Sequence, residues 1–213
     1  MAVVETTQFG VFLAAALVLA LTPGPGLAYV VARTVAGGRG EGVASSFGTA
    51  VGGGVHVLGA GLGLSALIAQ SALAFTVVKY AGACYLVYLG VRTLLKGASV
   101  AANMAVNATG TRRAFAEGVV VEVLNVKTAL FFLAFIPQFV DPAAGHVALQ
   151  FVVLGSVSVA LNTLADVVVA FAASRIREGA AARPALIRRL REASGAAMIS
   201  LGVGLALAKR PAN

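Results

Sequence analysis

The chain has 213 residues, of which 59% are hydrophobic and only 11% charged, with a mean hydropathy of +0.93 and a formal net charge of +8. A soluble domain of this length carries far more surface charge, so composition excludes an ordinary globular enzyme or binding module. The basic excess comes without an aromatic-plus-basic surface, which argues against nucleic acid as a partner and for cations flanking spans on one side of a lipid membrane.

Several continuous apolar runs rich in Ala, Leu and Val reach the roughly 20 residues that cross a bilayer as a helix. They are too long and too uniformly apolar for barrel strands, which alternate over about 10 residues. The predicted class is therefore all-α, a polytopic membrane protein of about six transmembrane helices forming a single transmembrane domain, residues 1–213.

The first predicted span, Phe9–Val31, lacks the basic leader of a signal peptide, and Glu5 precedes it. Its apolar run is interrupted by Thr22-Pro23-Gly24-Pro25-Gly26. Each proline removes a backbone donor and crowds the preceding turn, so two prolines and two glycines together should break the helix rather than bend it. Freed backbone groups at that depth must be covered by protein or line a wet cavity. A new half-helix, Leu27–Arg33 with Pro25 at its start, would present N-terminal amides to an anion such as a substrate carboxylate. The competing reading is a kink used only in packing.

The second span, Val43–Ile68, carries His56 near its middle, with Gly48, Gly52, Gly59 and Gly63 on the same face. This small-residue seam serves helix packing, within one chain or across a homodimer. In the third span, Leu73–Leu95, Cys84 reads as a buried packing thiol, and Lys79 as a snorkelling side chain near the outer end. A single cysteine forms no intrachain disulfide and no zinc or iron–sulfur cluster.

The fourth span, Val119–Val140, opens with Glu122, Asn125 and Lys127. Ionisable groups inside a membrane are costly and mark function unless they snorkel to the interface. Glu122 and Asn125 share a helix face, whereas Lys127 points elsewhere unless the helix unwinds. The fifth span, Val147–Ala173, holds Asp166 with Asn162 four residues earlier on the same face. Such an acid either pairs with a cation or exchanges a proton, as an ion-coupled carrier requires. The sixth span, Ala193–Ala208, is the shortest; an N-in arrangement with five true spans is the alternative.

Twelve of the 16 basic residues fall in the odd-numbered connections, and none in the second or fourth. The positive-inside rule then places the odd connections in the cytoplasm and both termini outside. The non-apolar stretch 97–111 leaves three spans on each side. Halves 1–96 and 115–213, joined by a cytoplasmic connection at 97–114, would be inserted upside-down relative to each other, the arithmetic of an inverted repeat. Phe12 precedes Pro23 by eleven residues, as Phe115 precedes Val126, which aligns Leu21–Gly24 with Leu124–Lys127. The Thr22–Gly26 motif, Asn125, Lys127 and Asp166 then share one depth near the midplane, where carriers with broken helices bind substrate. No Gly-x-Ser-x-Gly, His-Glu-x-x-His or Walker sequence occurs, so no enzyme, cofactor or ATP-driven pump is expected.

These motifs resemble the LysE/RhtB family of bacterial amino-acid exporters over nearly the whole chain. The likeness rests on Leu21–Gly26, on the third-span run from Lys79 to Gly90, on Phe115 and Gly118, on Leu124–Lys127, on Phe131-Phe132 and Pro137-Gln138-Phe139, and on Ser194-Gly195 with Leu201–Ala206. It implies a multi-pass translocator of the bacterial inner membrane, exporting amino acids or related small metabolites on the proton gradient. The backbone at Thr22–Gly26 with Asn125 and Lys127 would hold the substrate, and Asp166 and Glu122 would be the coupling sites. A metal-cation exporter of the wider superfamily is the alternative, although Glu122 and Asp166 supply at most two oxygen ligands and no resident metal site is evident. Two departures matter. The family usually reads Asn-Pro-Lys where this chain has Asn125-Val126-Lys127, and the lost proline weakens the case for a break in the fourth span. It commonly carries asparagine where this chain has Glu122, a carboxylate that would favour a cationic substrate such as a basic amino acid.

Overall fold

A computed structural model describes residues 6–70, 72–95 and 108–177, together with positions 192, 196, 199–200, 202–203 and 206–207. Among them the chain is helical and contains no strand. Helices α1 (Thr6–Leu21) and α2 (Pro25–Gly37) precede two long helices, α3 (Arg39–Gln70) and α4 (Ala72–Leu95). Then come α5 (Thr111–Val123), α6 (Val126–Ala134), a 3-10 turn (Ile136–Phe139) and α7 (Val147–Arg177). Val147–Arg175 is long and apolar enough to cross a membrane unbroken. Counting each bent pair, α1 with α2 and α5 with α6 through the 3-10 turn, as one span raises the number to three among the described residues. Of the predicted sixth span, Ala193–Ala208, positions 196, 199–200, 202–203 and 206–207 are described, and they are helical.

The first span breaks where the prolines require it. Pro23 forces Thr22 out of helical geometry, and Gly24 is extended at φ −142°, ψ −178°. Pro25 then occupies the first turn of α2, where its missing N–H costs nothing. The two halves meet at 47°. At the far end, Gly38 takes φ +82°, a left-handed conformation suited to glycine, and returns its N–H to the Thr34 carbonyl at 2.9 Å.

The fourth span also breaks, by 49°, which corrects the expectation drawn from its missing proline. It starts earlier than predicted, at Thr111 rather than Val119. The interruption falls at Leu124–Asn125, and the physical reason is a cap. The Asn125 Oδ1 accepts from the Lys127 backbone N–H at 3.1 Å and opens α6 as its N-cap. On the other side of the break, the Nε2–H of His56 donates to the Glu122 carbonyl at 2.8 Å, covering an acceptor at the end of α5.

An aromatic and aliphatic core ties α1, α6 and α7 together. Phe12, Phe131, Ile136, Phe151 and Leu154 are fully buried; Phe131 stacks on Phe135 at 4.8 Å, and Phe12 meets the edge of Phe139 at 5.4 Å. Lipid is as apolar as these side chains, so dispersion and shape hold this core more than water exclusion does. The glycine seam of α3 divides in two. A Cβ on Gly48 would collide with the Phe115 carbonyl oxygen, and one on Gly52 would lie 2.7 Å from both the Glu122 Cβ and the Val119 carbonyl. Gly118 faces back, 2.8 Å from the Ser45 carbonyl by the same measure, so α3 and α5 touch backbone to backbone. A Cβ on Gly59 or Gly63 would meet no atom of another helix within 4 Å among the described residues. Cys84 is exposed rather than buried, which corrects its assignment to packing; an apolar flank of a span serves lipid and core equally well.

Candidate functional site

The two breaks meet. Lys127, released to its own face because the helix restarts at Val126, runs across to the first break. Its Nζ donates to the Thr22 carbonyl at 3.1 Å and the Leu19 carbonyl at 3.3 Å. These belong to the last turn of α1 and to the break itself: Pro23 cannot give the Leu19 carbonyl its i+4 bond, so that oxygen takes the Thr22 N–H at 3.1 Å, and Pro25 has no N–H to offer the Thr22 carbonyl. The cation also sits at the negative end of the α1 dipole. Gly24 makes room for it: a Cβ there would lie 2.9 to 3.1 Å from the Lys127 Nζ, Cε and Cδ. Lys127 is only 6% exposed, and Glu122 only 3%, so neither snorkels.

Glu122 is held by its own segment. Its Oε2 accepts from the Asn125 Nδ2 at 3.0 Å and its Oε1 from the Thr128 hydroxyl at 2.5 Å. Oε2 also lies 2.5 Å from where a Gly26 Cβ would stand, on the first turn of α2. The positive end of that half-helix therefore already faces a carboxylate of the protein. Asp166 is fully buried. Its Oδ2 accepts from the Thr49 hydroxyl at 3.0 Å and from the Asn162 Nδ2 at 3.4 Å, while its Oδ1 has no hydrogen-bond partner among the described residues. No lysine or arginine among those residues forms an ion pair with it. Lys127 is nonetheless within electrostatic reach of both Glu122 and Asp166, so this buried layer carries two acids and one base.

Beside these groups lies a cavity of ≈ 20 Å³, in the measure by which one water needs roughly 10–15 Å³. Glu122, Thr49, Thr128, Ser158 and Asn162 give it its polar wall; Ala16, Leu19, Ala20 and Phe132 help close the rest. Of the predicted site residues, Glu122 reaches this cavity directly and Asp166 through Thr49. Thr22, Pro23, Gly24, Pro25, Gly26, Asn125 and Lys127 form the crossing beside it. Gly48 and Gly52 press α3 against α5 and His56 braces the second break, whereas Gly59 and Gly63 lie apart. Sequence reasoning passed over Thr49, Thr128 and Ser158. A hydroxyl in a membrane helix usually returns to its own backbone, as Thr34 and Ser45 do here and as Thr49 does with the Ser46 carbonyl at 2.8 Å, and its type alone does not reveal which of them also face a site.

A second polar cluster closes the end of the bundle where α2 turns into α3. Arg33, read as a loop cation, is buried in α2. It pairs with Glu117 of α5, lies 3.8 Å from Glu41 of α3, and donates from Nε to the Tyr29 hydroxyl at 2.9 Å. Tyr29 donates in turn to Glu117 at 3.0 Å, and Arg113 binds the other Glu117 oxygen at 2.8 Å. Glu41 accepts the backbone N–H groups of Thr109 and Gly110 at 2.8 and 2.7 Å. Spacings of four, Tyr29–Arg33 and Arg113–Glu117, were the sequence signal for this cluster.

Among the described residues no group of three or more His, Cys, Asp or Glu could hold a metal ion. The profile of the LysE type translocator family matches residues 17–209. The chain is 31% identical to an uncharacterized membrane protein of Vibrio cholerae over 93% of its own length and 96% of the relative's. It is 29% identical to the homoserine/homoserine lactone efflux protein of Salmonella typhimurium over 93% of the chain and 95% of the relative. The identity is also 29% to an uncharacterized membrane protein of Pseudomonas aeruginosa, over 95% and 96% respectively. No solved structure gives a significant match. A match spanning both breaks, the polar layer between them and most of the remaining chain settles the assignment: this is a membrane translocator, not an enzyme, and it belongs to the LysE type translocator family.

Proposed function

We propose that the protein exports amino acids or related small metabolites across the bacterial inner membrane, in exchange for protons. The observation that carries this reading is the crossing of two broken helices at Lys127, with Glu122 and Asp166 in the same buried layer beside a small polar cavity. Discontinuous helices near a membrane midplane are how secondary carriers expose backbone dipoles to a solute. Bends of 47° and 49° at aligned positions support an inverted relation between residues 1–96 and 115–213. The efflux activity in the name of the Salmonella relative supports the direction and the class of solute.

In this reading Asp166 is the coupling acid and Glu122 the second candidate. An acid with one oxygen unpartnered, and no cation bonded to it, can be made neutral by a proton more readily than it can stay charged in a dry interior. The Arg33–Glu117–Glu41 cluster is the barrier on the cytoplasmic side, following the distribution of basic residues. It would part when the site opens inward. The crossing at Thr22–Gly26, Asn125 and Lys127 frames the substrate site. A homodimer, if one forms, would use the open α3 face at Gly59 and Gly63.

The test is flux from vesicles loaded with single amino acids, with the purified protein folded in the bilayer and a pH gradient imposed. Gradient-dependent efflux of at least one compound is expected. Absence of such flux across a full amino-acid panel would refute this function.

A further inference from the structure

We infer that the small cavity between α1, α3, α6 and α7 is the seat of the substrate's ammonium group, with Glu122 as its counter-charge, and that the transporter selects a free amine rather than a free carboxylate. This rests on the transport reading above and names the chemical feature that the site recognises.

The wall of the cavity has one ionisable group, Glu122, and its other polar members are Thr49, Thr128, Ser158 and Asn162. Among the described residues no lysine or arginine lines it. The lysine of this layer, Lys127, gives two of its three N–H groups to the Leu19 and Thr22 carbonyls and does not line the cavity. A substrate carboxylate would thus enter beside a carboxylate, with no cation on the wall to receive it. The N-terminal turn of α2, the other natural anion site here, already faces the Glu122 Oε2 at Gly26.

An ammonium fits on three counts. The first is charge: Glu122 is the ionisable group on the wall, and among the described residues no cation forms an ion pair with it. The second is hydrogen bonding. Glu122 uses one acceptor position on each oxygen, to Thr128 and Asn125, and an ionised carboxylate has about four. The Ser158 Oγ is buried and has no hydrogen-bond partner among the described residues, an orphaned polar atom on the wall of this cavity. Asn162 gives its amide N–H to Asp166, which leaves its Oδ1 as an acceptor. Glu122, Ser158 and Asn162 therefore offer what three ammonium hydrogens need. The third is size: ≈ 20 Å³ admits a water-sized group and nothing larger, so the rest of the molecule must lie outside the cavity.

The test uses the full chain in proteoliposomes with an imposed pH gradient. Each amino acid that moves is compared with its methyl ester, which keeps the amine and masks the acid, and with its N-acetyl derivative, which does the reverse. The ester should compete with the parent compound within about threefold, and the N-acetyl derivative at least about 10-fold more weakly, the usual worth of a hydrogen bond to a charged group. Glu122→Gln should weaken the parent compound and its ester alike by at least about 10-fold. Ser158→Ala should weaken both by roughly 3–10-fold. Competition by the N-acetyl compound equal to that of the ester overturns the assignment while leaving transport intact, and it is read on the unsubstituted protein, so it does not depend on a variant folding. Absence of gradient-driven flux of any compound overturns the transport reading and this one together.

Discussion

Lys127→Ala is the most informative single change. It removes the ammonium that caps two carbonyls, at 3.1 and 3.3 Å, in a span that no water reaches from the lipid side. A buried acceptor left without a partner costs about 1–3 kcal/mol. The longer bond goes to the Leu19 carbonyl, which keeps the Thr22 N–H at 3.1 Å, so the Thr22 carbonyl carries most of the loss, and removing a buried charge returns part of it. The net expectation is a destabilisation of about 1–3 kcal/mol, or roughly 2–12 °C in Tm for a chain of this size. The diagnostic is a double-mutant cycle with Gly24→Ala. In the unsubstituted protein, a Cβ at Gly24 lies 2.9 to 3.1 Å from three atoms of the lysine stem and should cost about 1–3 kcal/mol. In Lys127→Ala those three atoms are gone, and the same change should cost nearly nothing. Thermal unfolding of the four proteins in one detergent gives the coupling energy, expected to exceed ~1 kcal/mol. Additive losses, or an unchanged Tm for Lys127→Ala, would refute the claim that lysine and break are one unit.

Asp166→Asn should abolish gradient-driven efflux while leaving substrate exchange across the membrane, since the amide keeps the contacts to Thr49 and Asn162 but carries no proton; retained gradient-driven efflux excludes it as the essential proton carrier. Gly48→Ala should prevent stable folding because the Phe115 backbone blocks the new methyl, whereas Gly59→Ala, with open space around it, should be neutral or stabilising by up to about 1 kcal/mol. Expression and Tm measured side by side decide that pair. Glu117→Gln removes a carboxylate, 34% exposed, from the buried Arg33, which keeps Glu41 at 3.8 Å and the Tyr29 hydroxyl, and should lower stability by about 0.5–2 kcal/mol. An unshifted melting curve would show that the cluster holds nothing together.

The first break was legible because its cause is local: Pro23 and Pro25 act on their own turn whatever surrounds them. The second was not, because its cause is distributed. Leu124-Asn125-Val126 has no intrinsic breaker, and what opens the helix is a cap from Asn125 together with His56 taking the Glu122 carbonyl from another span. The position of Lys127 in a membrane was readable; its destination, more than a hundred residues away in sequence, was not. Half of the glycine seam packs as its spacing suggests and half does not, since periodicity specifies a face but not what lies opposite. Cys84 was misplaced for a related reason: a bilayer and a protein core select the same side chains, so composition cannot tell an outward flank from an inward one. Arg33 was counted with the loops because α2 runs to Gly37, six residues past the predicted end at Val31.

The bond from Lys127 to the first span also has a consequence for biogenesis. The carbonyls of Leu19 and Thr22 leave the ribosome 108 and 105 residues ahead of the lysine that covers them. At about 5–20 residues per second, the first span waits for its cap for roughly 5–20 s. Throughout that interval its open backbone has to stay hydrated, in the insertion channel or at the membrane surface, because lipid offers it no partner. The first three spans are thus committed to the bilayer only when the fourth arrives. Residues 1–96 produced alone should be degraded, and residues 97–213 supplied as a separate chain should rescue them.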